Sequence, residues 1–208
     1  MGSSVFHRCV DVDVCSASTI EHLKNTLRDG EVMVFFYCNF RNELSRSSTQ
    51  LMRSLLSQLF CHIDDHGIDP GDLPNKILEG KSKGTLSLNN LNKLCDLVSD
   101  AASCFLWNPV IVIDALDECS DIEALLDALI TLNLGDVRLL VTSRPDPIIT
   151  RHFSRLPSLS FESVTKELAV DISLHIGRVF ESHKQLRSAD AEMRREIQSG
   201  LNGKAEGR

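Results

Sequence analysis

Short apolar runs of β-branched and aromatic residues alternate along this chain with segments of helical periodicity, and no other feature restricts its fold so tightly. The strong runs are Glu31 to Cys38, Val110 to Ile113 and Val137 to Val141, with a weaker one at Leu159 to Phe161. Between them, Leu51, Leu55, Leu56, Leu59, Phe60 and Ile63 share a helical face. So do Leu88, Leu91, Leu94, Leu97, Val98 and Ala101, and after them Ile122, Leu125, Leu126 and Leu129. Ser18 or Thr19 is placed to cap an earlier helix that carries Ile20, Leu23 and Leu27 and stops at Asp29-Gly30. The unbroken apolar character of 31–38 is the mark of a strand buried on both faces. Such alternation requires right-handed βαβ crossovers, so the expected class is α/β: a parallel sheet between two helical layers, a three-layer sandwich.

Two stretches carry weaker signals. Residues 1–15 form a divergent segment in which Val10, Val12 and Val14 alternate with Asp11 and Asp13, as a half-buried strand would. Residues 64–86 hold four glycines and two prolines and are expected to be an irregular connection. The expected organisation is residues 1–15, a core over 16–165, and a helical, increasingly charged segment over 166–208.

Composition narrows the functional classes. The 208 residues carry 22 basic and 29 acidic side chains, a net charge of −7. This lacks the global field that draws proteins to nucleic acid or anionic membranes, so neither is an expected partner. The longest apolar run, Val32 to Cys38, falls far short of the ~18 residues of a spanning helix. Arg8, Asp11 and Asp13 break any signal-peptide core, and Phe6 stands where a myristoylation signal needs Ser or Thr. The seven cysteines are odd in number, scattered and without a CxxC pair, which fits reduced thiols in a cytoplasmic protein.

Ligands of open parallel sheets bind beyond the carboxyl ends of the strands. Asp114 and Thr142-Ser143 each end an apolar strand and are expected at one edge. The segment Val110-Ile-Val-Ile-Asp114-Ala-Leu-Asp117-Glu118-Cys119 sets one carboxylate at a strand tip, where it can hold Mg²⁺ directly or through water. Asp117 and Glu118 follow within a turn, where a second carboxylate can orient or deprotonate an attacking water. The plainer alternative is a turn cap followed by acids that favour the next helix dipole.

With these segments the chain resembles the NACHT-type signal-transducing NTPases, specifically fungal proteins with a nephrocystin-like N-terminal NACHT domain. The likeness is carried by Glu31-Val-Met-Val-Phe-Phe-Tyr-Cys-Asn-Phe-Arg41, by Val-Ile-Asp114-Ala-Leu-Asp117-Glu118-Cys119, and by Arg138-Leu-Leu-Val-Thr142-Ser143-Arg144-Pro145. Their order and spacing extend it over about residues 16–207. The resemblance implies a P-loop domain with its Walker B strand at 110–114 and a sensor strand at 137–142. It also implies Mg²⁺ with ATP or GTP as ligand. Asp114 would then hold the metal, and Asp117 and Glu118 would assist hydrolysis. Thr142, Ser143 and Arg144 would meet the nucleotide, with the Arg144 guanidinium on the terminal phosphate. Pro145 and Pro147 would set the first turn of the following helix.

The phosphate loop of that family, G-x-x-x-x-G-K-[ST], does not occur where it belongs. Between Ser3 and Glu21 there is neither glycine nor lysine, and Asp11 and Asp13 would repel a triphosphate. The strand that should precede the loop is not recognisable either. Residues 5–14 could fill the central slot through the Val10, Val12 and Val14 face; left vacant, it would expose unpaired strand edges, which predicts aggregation or dependence on a partner. Two decoys fail. Gly80-Lys81-Ser82 has Asn75 in place of the first glycine, follows no strand and is expected to be a surface loop; Gly203-Lys204 is followed by Ala205. The chain therefore resembles a family domain trimmed at both ends.

Three functions compete. One is a nucleotide-binding signalling switch whose hydrolysis is impaired. Another is a non-hydrolysing pseudo-NTPase that serves as an interaction or scaffold element, with protein partners or self-association in either case. The third, a metal-dependent phosphohydrolase, lacks a second acidic strand tip. Elsewhere, His62-Ile-Asp-Asp65-His66 resembles an inverted zinc-protease pattern but has no third ligand placed by sequence. Cys119 and Trp107 are expected to pack rather than to bind, and 190–196 to be a solvated helix face.

Overall fold

A computed structural model describes residues 4–7, 20–82, 89–135, 137–160, 174, 177–180, 182 and 191–205. The chain divides into two compact units, Met1–Leu159 and Ser160–Arg208. The first holds strands β1 (Ser4–His7), β2 (Met33–Tyr37), β3 (Val110–Asp114) and β4 (Arg138–Ser143), with β5 at Ser158–Ser160. Its helices are α1 (20–26), α2 (Ser48–Asp65), α3 (Leu73–Ser82), α4 (Leu91–Ala102), α5 (Ile122–Asn133) and α6 (Pro147–His152). The second unit has helical positions at 174, 177–180 and 182, and α7 over Ala191–Ala205.

The strand order is β2-β3-β4-β1-β5, and the β2–β3, β3–β4 and β4–β1 pairs are parallel. Alternate residues feed two cores, as a sheet covered on both faces requires. Val34, Ile111, Ile113, Leu139 and Val141 join the larger core with Leu51, Leu55, Leu59, Leu94, Leu125 and Leu129 of α2, α4 and α5. Met33, Val110 and Val112 join a smaller one with Ile20 of α1, against which Leu23 and Leu27 pack. The chain is thus α/β, with helices on both faces of a parallel sheet.

Helix starts follow local chemistry. Ser47 caps α2 by accepting from Gln50 N at 3.5 Å, and Asn90 caps α4 by accepting from Lys93 N at 3.1 Å. Asp146 caps α6, accepting from the N–H groups of Ile148 and Ile149, with Pro147 at the first position, where its missing N–H is not needed.

Three expectations are corrected here. The slot beside β4 is filled: β1 pairs with it from Ser4↔Leu140 to His7↔Ser143, so no central vacancy exposes the sheet and that ground for aggregation falls. The Val10–Val14 alternation lies outside the described residues, as do Ser18, Thr19 and Leu88. Second, residues 73–82 of the supposed irregular connection are helical, and Gly80-Lys81-Ser82 closes α3 instead of forming a surface loop. Pro74 sits in the first turn, where proline is tolerated, and Leu73 and Ile77, one turn apart, both meet the larger core.

Third, burial on both faces holds for Val32, Met33 and Val34 but not for Tyr37, which is exposed, and β2 is an edge strand. Its free edge is covered by two side chains of α2, one turn apart. Phe35 N donates to Gln58 Oε1 at 3.0 Å, and Gln58 Nε2 donates to Phe35 O at 2.8 Å. His62 Nε2 lies 3.2 Å from Met33 O; a carbonyl only accepts, so this nitrogen carries the hydrogen. An amide and an imidazole thereby close backbone groups that would otherwise template pairing with another chain.

At the opposite, N-terminal edge of the sheet, Glu31 and Arg138 join β2 to β4, with Arg138 Nη2 3.0 Å from Glu31 Oε1. Trp107, Asn108, Thr26 and Arg28 complete the lining of a cavity of about 460 Å³ there. The Glu31 carboxyl is held below its ordinary value of 4.5, chiefly by the N–H of Arg28 at 2.9 Å and further by the Arg138 guanidinium. A depressed folded-state pKa stabilises above the ordinary glutamate range, and that contribution is lost as pH falls through the folded value. Urea midpoints measured from about pH 6 to about pH 3 should show a shallower acid-side loss for Glu31→Gln than for the parent chain.

Candidate functional site

Strands β3 and β4 run side by side and end at the same edge, which brings Asp114 and Thr142 together. Asp114 is 1% exposed, and its Oδ1 accepts the hydroxyl hydrogen of Thr142. The same hydroxyl accepts from Ala115 N at 3.1 Å. Ala115 has a φ of 53°, a left-handed conformation that a residue with a Cβ adopts at a cost of about 1–2 kcal/mol. Thr142 therefore holds both the strand-tip carboxylate and the strained turn that follows it.

That turn leads into a single 3-10 turn, Leu116–Glu118, which carries the next two acids. Both face Arg144. Arg144 N donates to Asp117 Oδ1 at 2.8 Å, its Nε is 3.8 Å from Asp117 Oδ2, and its Nη2 donates to Glu118 Oε1 at 3.3 Å. The Asp117 and Glu118 side chains are mostly buried whereas that of Arg144 is 61% exposed, so the guanidinium is a solvent-side cover over two carboxylates. Ser143 is fully buried and its Oγ donates to Arg144 O at 2.9 Å. All six residues singled out from the sequence thus stand at one sheet edge, joined in two groups: Asp114 with Thr142, and Asp117, Glu118 and Ser143 with Arg144. β1 ends beside them, with Phe6 opposite Thr142 and His7 opposite Ser143. The following stretch, 8–19, which holds Asp11 and Asp13, lies outside the described residues.

A third element closes over the acids, and the sequence carried no signal for it. The loop after β2 returns so that Phe40 N donates to Glu118 Oε2 at 3.1 Å. Its carbonyl at Arg46 accepts from Ser120 N, from Ser120 Oγ at 2.9 Å and from Cys119 Sγ at 3.0 Å. The loop contributes backbone groups alone, Phe40 N–H and Arg46 C=O, so these contacts need no particular residue type on the loop side. Beneath this loop the Cys38 thiol is pushed above its ordinary value, chiefly by the neighbouring Cys119, with burial and the charges of Asp114 and Asp117 adding.

The chain's match to a family model bears directly on this arrangement. Residues 13–144 match the model described as Nephrocystin 3, N-terminal. The chain belongs to that family. The match spans 132 of 208 residues, takes in the first two segments that carry the NACHT resemblance and the third as far as Arg144, where it ends. The nephrocystin 3 N-terminal region is NACHT-like, and an α/β domain with a helix-flanked parallel sheet fits a P-loop-like fold. A comparison with curated proteins gives no match. Among the described residues, no helix is long and apolar enough to cross a membrane, and no group of three or more His, Cys, Asp or Glu is arranged to hold a metal. His62 and His66 serve the backbone: His66 Nδ1 lies 3.0 Å from His62 O, and His62 covers the β2 edge.

Proposed function

We propose that this chain is a cytoplasmic NACHT-type signalling module that takes a nucleotide, ATP or GTP, at the carboxyl edge of β3 and β4, with hydrolysis impaired. The observation that carries this reading is the convergence of one strand-tip carboxylate, two further acids and an arginine at the end of β1, at the ligand edge of a parallel sheet. A single carboxylate at a strand tip suits Mg²⁺ held through water and shared with phosphate oxygens, and does not suit a cage made by protein alone. When bound, the ion would supply charge neutralisation to the phosphates. Asp114 would orient its waters, steadied by Thr142. Asp117 or Glu118 would position an attacking water once Arg144 has swung onto a phosphate. Impairment follows from the sequence of residues 8–19, which holds neither the glycines nor the lysine of a phosphate loop.

One observation favours the scaffold reading instead. Arg144 already has two carboxylate partners, so a phosphate must displace them before it gains the guanidinium. Charge-assisted hydrogen bonds contribute about 1.5–3 kcal/mol each, and the loss of several, with the lysine, moves a micromolar site beyond millimolar. Calorimetric titration of the folded chain with Mg·ATP and Mg·GTP separates the two. The switch reading expects micromolar binding that Asp114→Ala weakens at least tenfold. No heat up to millimolar nucleotide would leave a pseudo-NTPase interaction module, engaging protein partners or a second copy of itself.

A further inference from the structure

We propose that the cavity at the N-terminal edge of the sheet is a second binding site, taking a monocarboxylate with a flat apolar body: the apolar part lies on Trp107 and the carboxylate on Arg28. It stands at the other end of the strands from Asp114 and Thr142, and the inference does not rest on nucleotide binding.

Three chain segments build the cavity and hydrogen bonds lock them together. The turn 28–31 closes on itself, since Glu31 N donates to Arg28 O at 3.0 Å and Arg28 N donates to Glu31 Oε2 at 2.9 Å. The entry to β3 is tied to both neighbouring strands: Val110 N donates to Val32 O at 2.9 Å, and Arg138 N donates to Pro109 O at 2.8 Å. Arg138 Nε adds a bond to Asn108 O at 3.0 Å. Walls held in this way are formed before a ligand arrives, which lowers the entropy lost on binding. The volume, about 460 Å³, is that of a small-molecule site.

Trp107 is 43% exposed although it lines a cavity. Its indole rests on a bare turn: Gly30 has a φ of 81°, and a Cβ there would stand 3.8 Å from Trp107 Cδ1. The rest of the ring is open to a flat apolar group. Charge decides the other half of the ligand. Both oxygens of Glu31 are occupied, one by Arg28 N and one by the Arg138 guanidinium. Arg138 Nη2 is buried and makes no hydrogen bond even at 3.0 Å from Glu31, so the pair is not a closed bidentate fork. The Arg28 guanidinium and the Asn108 side-chain amide make no hydrogen bond among the described residues, and both line the cavity. Two guanidinium groups against one carboxylate leave one positive charge over. A monocarboxylate balances that charge and matches the planar fork of Arg28, whereas a phosphate, at about −1.5 to −2, overshoots it.

Trp107 is the single tryptophan of the chain, so its fluorescence reports on this site directly. The probe is 3-phenylpropionate, titrated into the full-length chain. We expect a saturable change in emission, with the uncharged 3-phenylpropionamide binding about tenfold more weakly or worse. Arg28→Gln should weaken the acid by a similar factor while leaving thermal unfolding near that of the parent, since Arg28 is exposed. Asn108→Asp, which adds a negative charge to the lining, should weaken it too. Acetyl-glycyl-phenylalanine and its C-terminal amide identify the source of the carboxylate: a peptide acid that binds more tightly than 3-phenylpropionate assigns the site to a chain terminus, and one that binds more weakly assigns it to a free acid. Emission unchanged up to millimolar 3-phenylpropionate would overturn the proposal. So would equal binding of acid and amide, or displacement of the acid by an equal concentration of inorganic phosphate.

Discussion

Thr142→Val should destabilise the first unit by about 3 kcal/mol, although it removes no volume and no charge. The hydroxyl is spent twice, as a donor to the buried carboxylate of Asp114 and as an acceptor from Ala115 N. Losing a bond to a charged group costs about 1.5–3 kcal/mol, and leaving a buried N–H without its acceptor adds about 1–3 kcal/mol. The second loss falls on Ala115, whose left-handed backbone is held in place by that contact. Thermal unfolding should move down by roughly 6–12 °C for a domain of this size. Thr142→Ser keeps the oxygen and should recover most of the loss. A valine variant that melts within a degree or two of the parent would show that the strand-tip turn is held by other contacts, and would detach Thr142 from the site's architecture.

This coupling also shows what could be read from the sequence and what could not. The strands 33–37, 110–114 and 138–143 and the helices α2, α4 and α5 were legible because burial leaves a periodic imprint on residue type. β1 was not, because a four-residue strand is placed by backbone pairing to β4 and leaves almost no pattern. α3 was obscured by Pro74 and Gly80, residues that punctuate chains generally but are harmless in a first and a last turn. The edge position of β2 could not be read from its own residues, since sheet order is decided by what lies beside a strand. The evidence for it lay instead in Gln58 and His62, two polar residues one turn apart on α2. At the candidate site the acids and the Thr-Ser-Arg segment stood out by their places after apolar strands. Their mutual engagement did not, because the Arg144–Asp117–Glu118 ion pairs depend on the distance between two loop ends.

The same division between imprint and placement sets the second large effect. Leu129→Ala should cost about 3–5 kcal/mol, the upper part of the range for a buried leucine, because the space it leaves cannot collapse. Leu129 is fully buried on α5, in a face it shares with Leu125, Leu126, Ala128 and Leu132. α5 is pinned on its neighbour as well as packed: Cys95 Sγ of α4 donates to Ala128 O at 3.5 Å, one residue away. A helix fixed between the sheet and α4 cannot slide inward to fill a void, so the lost contacts are not replaced. Leu134, one residue past the end of the same helix, is 82% exposed, and its replacement by alanine should stay within about 0.5 kcal/mol of the parent. Chemical denaturation of the two variants side by side tests this, with stability read at constant slope. Equal losses would mean that residue 134 is covered in solution, and a loss below about 1 kcal/mol for Leu129→Ala would mean that the α4–α5 layer rearranges. The expected contrast ties the candidate site to its foundation. The side of β3 and β4 that α5 packs against is formed by Ile111, Ile113, Leu139 and Val141, and the next residues along those strands are Asp114 and Thr142.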